Sequence, residues 1–327
     1  MSDRQEAFLE RSGWGGAQAV RLAGDASQRF YLRLTAADGA RAILMVAPCA
    51  TPAERASLDA FRRIGGHLRH LGLSAPEEFA AEPDAGLILM EDLGDMTLSR
   101  LLQESPAVAA DAYGTTARVL ARLAAEAPPA GLRAPDAGEM AEMADLPCAL
   151  LKAEGGDVGA LRARLRAALT QALRQHSGGA PGLALRDVHG DNLIWLPDRA
   201  GAARIGLLDY QDALRLPLGY DLASLLDDVR RDIPAGWRKN LVEDFSAQTA
   251  MPRQEAQARI DTLSLQRNIR ILGVFRRLAT LHGKAGYARF LPRTRSLIRR
   301  ALASPELAPL RAPVEELLQR TAHWSLP

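Results

Sequence analysis

The sequence predicts an α+β fold with a small β-rich N-terminal lobe and a larger, mostly helical C-terminal lobe. Strand-like segments occupy much of the first 92 residues, and helical periodicity dominates the chain after them. An acidic, glycine-containing connector lies between these two parts. With 327 residues, the chain is long enough for two domains and for a core that needs no disulfides. We therefore assign residues 1–92 to the N-terminal lobe and 93–327 to the C-terminal lobe, joined by a hinge at about 90–95.

The N-terminal elements are indicated by β-forming runs and turn residues. Residues 30–34 and 41–46 are strand candidates, and residues 37–40 between them carry the signal of a hairpin turn. From Pro52 onward, apolar residues recur every three or four positions, which predicts a helix. A further apolar strand at 86–90 leads into the acidic connector.

The C-terminal elements follow from amphipathic patterns and from the residues that break them. Helices are predicted at 98–103, 113–127 and 161–173, an irregular excursion at 128–147, short strands at 193–196 and 205–208, and helices from 220 to the end. No internal repeat interrupts this order.

The composition excludes several classes of protein. A hydrophobic fraction of 47% and a net charge of +2 are unlike a disordered chain, and two cysteines cannot form a disulfide framework or a cysteine-rich zinc site. No apolar run approaches the ~18 residues of a membrane span, and the N-terminus is charged where a signal peptide is apolar. Nearly all of the 41 basic residues are arginines, but 39 acidic residues balance them, which argues against nucleic-acid binding. We expect a cytoplasmic monomer whose partners are small molecules, with neither nucleic acid nor membrane among them.

Three oxygen-bearing side chains form the most informative pattern. Asp187 and Asn192 are five residues apart, and Asp209 ends a short apolar strand. Phosphoryl transfer from ATP needs a carboxylate near the acceptor hydroxyl and two oxygen ligands that hold Mg²⁺ on the phosphates. This joint spacing favours a kinase site over a set of solvated turn residues.

The segment around these residues resembles the catalytic loop of the aminoglycoside phosphotransferase-like kinases, which have the protein-kinase fold. The family pattern is His-Gly-Asp-x-x-x-x-Asn, followed by an Asp-containing metal motif. Two frames match it here. His189-Gly190-Asp191 spells the first triplet, but the metal-binding position is then Leu196, and leucine cannot bind a metal.

The frame that we favour makes Asp187 the base that positions and deprotonates the acceptor hydroxyl, and makes Asn192 and Asp209 the metal ligands. Leu185 then stands where the family has its first histidine. His189 matches a second histidine of that loop and is counted with the catalytic residues, as a group that orients the loop. The resemblance thus implies a protein-kinase-like bilobal fold with ATP and Mg²⁺ as cofactors.

Two further segments resemble the same family. In 87–94 the resemblance implies a hinge whose backbone reads adenine, with the Glu91 carbonyl accepting from the exocyclic amine and the Leu93 amide donating to a ring nitrogen. After the metal motif, Asp221 is placed to cap the start of a helix and to brace the catalytic loop.

The nucleotide site departs from the family pattern at one position. The family carries a lysine on its third strand that contacts the nucleotide phosphates, whereas Met45 stands near that place and no lysine occurs before residue 152. Arg29, Arg33 and Arg41 are the candidates for the missing cation, because guanidinium binds phosphate well.

The loop before the second strand is the other candidate for phosphate binding. Its small residues, Gly24 and Ser27 among them, allow backbone amides to approach a phosphate. The helix acid that pairs with the lysine in the family has two candidates here, Glu54 and Asp59, and the sequence does not decide between them.

Within the family, the chain resembles the kinases that phosphorylate the anomeric hydroxyl of N-acetylmuramate and N-acetylglucosamine. The loop at 23–27, the third strand without lysine, the motif at 91–95 and the arginine-rich runs at 265–278 and 282–287 carry this resemblance. It implies a role in the recycling of peptidoglycan sugars. Arg267 and Arg270 are the candidates for binding a substrate carboxylate.

Other functions stay open at this point. A kinase of the same family that acts on choline, homoserine or an aminoglycoside would use the same motifs, although the basic C-terminal helices argue against a polycationic antibiotic. The missing lysine and the leucine at position 185 also suit a pseudokinase that binds nucleotide without turnover.

Overall fold

The structure is a computed structural model that describes residues 1–22, 29–234 and 236–325. The chain forms two compact units. The sheet unit comprises Met1–Thr115 and Gly190–Ala213, and the helical unit comprises Thr116–His189 and Leu214–Pro327. The lobe boundary after residue 92 stays a prediction. Among the described residues, no helix combines the length and the apolar character that crossing a bilayer requires.

The strands and helices are numbered separately in chain order. The strands are β1 (Gln18–Arg21), β2 (Phe30–Thr35), β3 (Arg41–Val46), β4 (Glu78–Glu82), β5 (Leu87–Glu91), β6 (Gly182–Ala184), β7 (Leu193–Trp195), β8 (Ile205–Leu207) and β9 (Leu214–Leu216). The helices are α1 (Asp3–Arg11), α2 (Pro52–His70), α3 (Leu98–Glu104), α4 (Pro106–Ala125), α5 (Ala137–Met143), α6 (Leu146–Ala153), α7 (Gly159–His176), α8 (Tyr220–Leu226), α9 (Trp237–Gln248), α10 (Arg253–Leu281), α11 (Leu291–Leu302) and α12 (Arg311–Arg320).

The sheet unit is built on an antiparallel sheet with the strand order β1-β2-β3-β5-β4. The central strands β3 and β5 are buried along most of their length, whereas β2 alternates between buried and half-buried positions. β7 pairs with β8 as a separate two-stranded ribbon. This ribbon matters for the site because its two strands bring the residues that flank them together.

The core of the sheet unit joins α1 to the sheet. Phe8 and Leu9 of α1 pack in one buried cluster with Leu32, Leu44 and Leu89 of the strands. Burial of a side chain of this size contributes about 1.5–3 kcal/mol. The cluster therefore fixes the strands whose ends carry the candidate nucleotide residues.

The helical unit is organised around α10, a helix of 29 residues. It packs against α8, α9 and α11, and also against α5, α6 and α7. A second ribbon, formed by β6 and β9, lies at the start of the catalytic loop.

A buried ion-pair network fixes α8 within the helical unit. The fully buried carboxylate of Asp227, at the C-terminal end of α8, accepts hydrogen bonds from Arg238 (2.6 Å), from Asn268 (2.7 Å) and from Arg300. Removing one partner of a buried pair typically costs about 3–5 kcal/mol. α8 is therefore held firmly against α9, α10 and α11.

Most predicted elements are confirmed to within a few residues, but two predictions were wrong. The segment 128–147 is not irregular throughout, because Asp136 and Glu139 form a capping box that starts α5. The helix predicted from residue 113 begins earlier, at Pro106, where proline suits the first turn. Six elements were not predicted at all: α1, α6, β1, β4, β6 and β9.

Candidate active site

The first half of the candidate catalytic loop is held by a buried carboxylate of α8. Asp221 Oδ2 accepts a hydrogen bond from the Leu185 amide (2.6 Å), and Oδ1 accepts one from the Arg186 amide (2.9 Å). Hydrogen bonds to an ionised acceptor are the stronger kind. Leu185, which stands where the family has a histidine, is thus anchored through its backbone. The two bonds fix the chain immediately before Asp187.

The second half of the loop is held by a hydroxyl of the same helix. Ser224 Oγ donates to the carbonyl of Val188 at 2.8 Å. Between the two anchors, Arg186 has φ +76°, a left-handed conformation that costs a residue with a side chain about 1–3 kcal/mol. The anchors maintain this strained turn, and they present the half-buried side chain of Asp187 at a fixed place.

The bracing role predicted for Asp221 is confirmed, whereas its predicted role as the helix cap was wrong. The N-cap of α8 is Gly219, whose φ is +94°, and no side chain caps the helix. Burial raises the pKa of Asp221 to about 6, although the Leu185 and Arg186 amides and the Arg267 guanidinium oppose the rise. The carboxyl is therefore sensitive to pH within the range in which proteins are usually stable.

His189 is buried next to several arginines. Burial lowers its pKa well below the usual value, and Arg230, Arg267 and Arg231 lower it further. The imidazole is therefore neutral at pH 7. A neutral ring donates through one nitrogen and accepts through the other, which suits the predicted orienting role better than storage of a proton.

In the sheet unit, Gly190 has a packing reason to be glycine. Its carbonyl accepts from the Ser99 amide of α3 at 3.1 Å, and a Cβ atom at this position would lie 2.4 Å from Ser99 Oγ. The glycine of the literal His-Gly-Asp triplet is thus explained by its close contact with α3.

Asn192 and Asp209 lie side by side at the base of the β7–β8 ribbon. Asn192 Nδ2 is 3.4 Å from Asp209 Oδ2, and the Leu208 amide donates to the Asn192 carbonyl at 3.0 Å. Gln211 Nε2 donates to the other oxygen of Asp209 at 2.7 Å. Asp209 has φ +58°, and strained backbone of this kind concentrates at functional sites.

This pair suits a magnesium ion that is bound by only one or two protein oxygens. Amide and carboxylate oxygens are the ligands that Mg²⁺ prefers, and the carboxylate of Asp209 is exposed to solvent. Among the described residues, no group of three or more His, Cys, Asp or Glu side chains could hold a metal ion. Mg²⁺ often binds to one or two protein oxygens and completes its shell with substrate phosphates and water, and Asn192 with Asp209 suits that mode.

The acidic connector after β5 is pinned by Arg33 of β2. The Arg33 guanidinium forms ion pairs with Asp92 and Asp95, each at 2.7 Å. Its hydrogen bonds hold the pKa of the Asp95 carboxyl below the usual value. Because its fork is engaged by two carboxylates, Arg33 is poorly suited to bind phosphate.

The two residues predicted to read adenine lie at the start of this connector. Glu91 is the last residue of β5, and its side chain forms an ion pair with Arg199. Leu93 is buried. The predicted contacts with adenine involve only the backbone groups of these two residues. The side chains, through the ion pair and the burial, help to hold the connector in place.

The remaining nucleotide candidates are Met45 of β3 and three residues that precede β2 in the sequence. Met45, in place of the family lysine, is fully buried and cannot supply a charge. Arg29 donates to Ser57 Oγ of α2 at 2.7 Å. Gly24 and Ser27 lie outside the described residues.

The two candidates for the helix acid of the family lie on α2. Glu54 closes the capping box of α2 with Thr51, and Asp59 is exposed. Arg29 contacts Ser57 and Phe61 of α2. No sequence pattern indicated the contact with Ser57, because an isolated serine carries no spacing signal.

Two arginines of α10 lie near the catalytic loop within the helical unit. Arg267 is only 5% exposed, and its Nη1 has no hydrogen-bond partner in the part of the chain that the structure describes. Its charge acts on both Asp221 and His189. Arg270 is half-buried, and its charge interacts with that of Asp187.

The comparisons with known proteins agree with this arrangement. The model of the phosphotransferase enzyme family matches residues 18–260. The chain belongs to this family. It is therefore a phosphotransferase with a hydroxyl acceptor, and the predicted kinase activity is confirmed at that level.

The individual relatives are kinases. The chain is 35% identical over 342 residues to the N-acetylmuramate/N-acetylglucosamine kinase of Caulobacter vibrioides, covering 94% of this chain and 93% of that one. It is 28% identical over 313 residues to the protein of the same name from Neisseria meningitidis, covering 90% and 89%. Among solved structures, a choline/ethanolamine kinase family protein from Mesorhizobium loti matches with a TM-score of 0.65 at 14% identity, covering 96% and 99%. This likeness confirms the kinase-like fold.

The pKa of Asp221 gives the free energy of unfolding a distinctive pH dependence. In the folded protein the pKa of this carboxyl is about 6, above the ordinary 3.8, so folding favours the protonated form. The free energy of unfolding is therefore higher at low pH, and this extra stability is lost as the pH rises from 4 through 6. Each pKa unit corresponds to 1.36 kcal/mol. In urea titrations, we expect the stability of the wild type relative to Asp221→Asn to fall by about 2 kcal/mol between pH 4 and pH 7. A difference that stays constant, or that grows with pH, would contradict the assignment.

Proposed function

We propose that this kinase phosphorylates the anomeric hydroxyl of N-acetylmuramate or N-acetylglucosamine, with ATP and Mg²⁺, and serves the recycling of cell-wall sugars. The observation that carries the substrate is the similarity to the Caulobacter vibrioides kinase over 94% of this chain. The loop held by α8 and the pair formed by Asn192 and Asp209 support the reaction.

Asp187 acts as the base in this proposal. Its carboxylate accepts the proton of the sugar hydroxyl while the hydroxyl oxygen forms a bond to the γ-phosphorus. The bond from that phosphorus to the bridging oxygen breaks, and ADP leaves with the electron pair. A positioned base of this kind contributes about 10²–10⁴-fold to the rate. His189, held neutral by burial, orients the loop.

Asn192 and Asp209 are the proposed ligands of the magnesium ion. The ion that these two residues would hold would supply positive charge against the phosphates of the nucleotide. Gln211 fixes one oxygen of Asp209, so the other oxygen keeps a defined direction. Preorganised groups of this type supply a large share of catalysis in phosphoryl transfer.

The connector after β5 is the proposed adenine site. The Glu91 carbonyl and the Leu93 amide would read the base, and the ion pairs of Arg33 with Asp92 and Asp95 keep this backbone in place. Met45, Gly24 and Ser27 remain predicted contacts of the nucleotide.

Arg267 and Arg270 are the proposed partners of the substrate carboxylate. A buried guanidinium nitrogen without a hydrogen bond is costly, so the unpaired Nη1 of Arg267 favours an anionic group as its ligand. N-Acetylmuramate carries a carboxylate, whereas N-acetylglucosamine does not. Because Arg230 and Arg231 add further positive charge around His189, a cationic acceptor such as choline or an aminoglycoside is disfavoured.

Two substitutions separate the base from the metal ligand. Asp209→Ala removes a magnesium ligand, and we expect it to abolish turnover. Asp187→Asn keeps the shape but removes the base, so kcat falls by about 10²–10⁴-fold while ATP affinity stays near that of the wild type. Steady-state kinetics and ATP titrations measure both quantities. The matched variant Asp191→Asn tests the other frame of the loop. If it loses kcat while Asp187→Asn stays active, Asp187 is not the base.

The reaction product identifies the acceptor and the position of phosphorylation. The protein is incubated with ATP, Mg²⁺ and either N-acetylmuramate or N-acetylglucosamine, and the product is examined by phosphorus NMR. We expect a phosphate signal coupled to the anomeric proton. Parallel reactions with choline, homoserine and an aminoglycoside test the other acceptors. Phosphorylation of one of these alone, or the absence of any ADP release, would contradict the proposal.

Arg267 should distinguish the acidic sugar from the neutral one. Replacing it by methionine removes a charge-assisted hydrogen bond worth about 1.5–3 kcal/mol. We therefore expect Arg267→Met to raise KM for N-acetylmuramate roughly 10- to 100-fold and to leave KM for N-acetylglucosamine nearly unchanged. Arg277→Met, at an exposed position of the same helix, is the control. Equal losses for both sugars would show that Arg267 does not bind the carboxylate.

A further inference from the structure

The chain on both sides of Asn192 is hydrogen-bonded to one short segment of the sheet unit, residues 96–99. We propose that this 96–99 segment positions Asn192 for the metal ion, through its contacts with the backbone of Gly190 and Trp195. The inference rests on the proposed function, because it takes Asn192 to be a magnesium ligand.

The contact before Asn192 is made at Gly190. The Ser99 amide donates to the Gly190 carbonyl at 3.1 Å. Ser99 is only 2% exposed, and Leu98 beside it is completely buried. Because a buried backbone group that loses its partner is costly, this bond holds the chain two residues before Asn192.

The contacts after Asn192 are made along β7. The Trp195 amide donates to the Met96 carbonyl at 2.8 Å, and Thr97 forms an antiparallel bridge with Ile194. Since Ile194 also pairs with Gly206 of β8, β7 is held along both of its edges. The 96–99 segment therefore fixes the chain before and after Asn192.

The 96–99 segment is itself held at both ends. Thr97 is the N-cap of α3, and its Oγ1 accepts from the Arg100 amide at 3.1 Å. The Thr97 amide donates to the Asp95 carbonyl at 2.9 Å, and the Asp95 carboxylate is ion-paired with Arg33. A ligand supported by such a segment keeps its place before the metal arrives, as a preorganised site requires.

Gly190 and Ser99 approach each other closely enough for the contact to be tested. A Cβ atom at Gly190 would overlap the Ser99 hydroxyl and would lie 3.1 Å from the Ser99 amide nitrogen and 3.3 Å from its Cα. Ser99 Oγ has no hydrogen-bond partner among the described residues. Alanine at position 190 thus pushes the two segments apart, and alanine at position 99 relieves much of the overlap while keeping the amide.

The test measures the Mg²⁺ affinity of the complex of the full chain with ADP by calorimetric titration with magnesium chloride. We expect Gly190→Ala to weaken this affinity roughly 10- to 100-fold, the range typical for loss of a group that supports a metal ligand. ADP affinity without metal should stay near that of the wild type. Adding Ser99→Ala to Gly190→Ala should recover most of the lost Mg²⁺ affinity, a rescue that general destabilisation would not give.

A second glycine of the sheet unit supplies the control. At Gly66 of α2, the nearest atom to an added Cβ is Arg69 Nη2, at 3.9 Å, so Gly66→Ala should leave the Mg²⁺ affinity unchanged. Urea titrations without ligands show whether each variant folds. If Gly190→Ala does not fold, Thr97→Ala replaces it, because loss of the cap loosens the 96–99 segment and should weaken Mg²⁺ binding in the same direction but to a smaller extent.

The outcomes separate this inference from the proposed function. Unchanged Mg²⁺ affinity in a folded Gly190→Ala protein, or in Thr97→Ala in its place, would overturn the positioning role and leave the kinase proposal intact. A loss that Ser99→Ala does not reduce would overturn it as well. A wild-type complex with ADP that binds no Mg²⁺ would overturn the proposed metal ligands and this inference with them.

Discussion

The buried carboxylate of Asp221 accepts two backbone hydrogen bonds from the loop that carries Asp187, and the proposed chemistry depends on this contact. The turn at Arg186 is left-handed and would relax without such anchors. Asp221 is itself held because α8 is fixed by the buried network around Asp227. The place of one reactive side chain thus depends on packing between four helices.

The second constraint is electrostatic, because phosphoryl transfer concentrates negative charge and nearly all of the basic residues of this chain are arginines. The arginines differ in the groups that they contact. Arg33 is tied to two carboxylates and stabilises the connector. Arg267 is buried, and its Nη1 has no hydrogen-bond partner in the described part of the chain. In our account, Arg267 keeps its charge for a ligand, so one residue type serves structure and binding in the same molecule.

Much of the fold follows from periodicity, and the catalytic motif from the spacing of three polar residues. β2, β3 and α2 were predictable because their patterns are local. Asp227 and its partners were not, since that network joins residues far apart in sequence. For Asp221, the bracing of the loop was predicted correctly but the helix cap was not. Its hydrogen bonds go to a loop distant in sequence and not to its own helix. The contact of Ser57 with Arg29 carried no sequence signal, because it joins α2 to a residue 28 positions earlier in the chain.

A crystal structure with ADP, Mg²⁺ and N-acetylmuramate tests the central claim most directly, namely that the loop held by Asp221 presents Asp187 to the acceptor. We predict a carboxylate oxygen of Asp187 within ~3 Å of the anomeric hydroxyl, with the Leu185 and Arg186 amides still bound to Asp221. An anomeric hydroxyl bound to Asp191, or a sugar remote from the loop, would contradict the account.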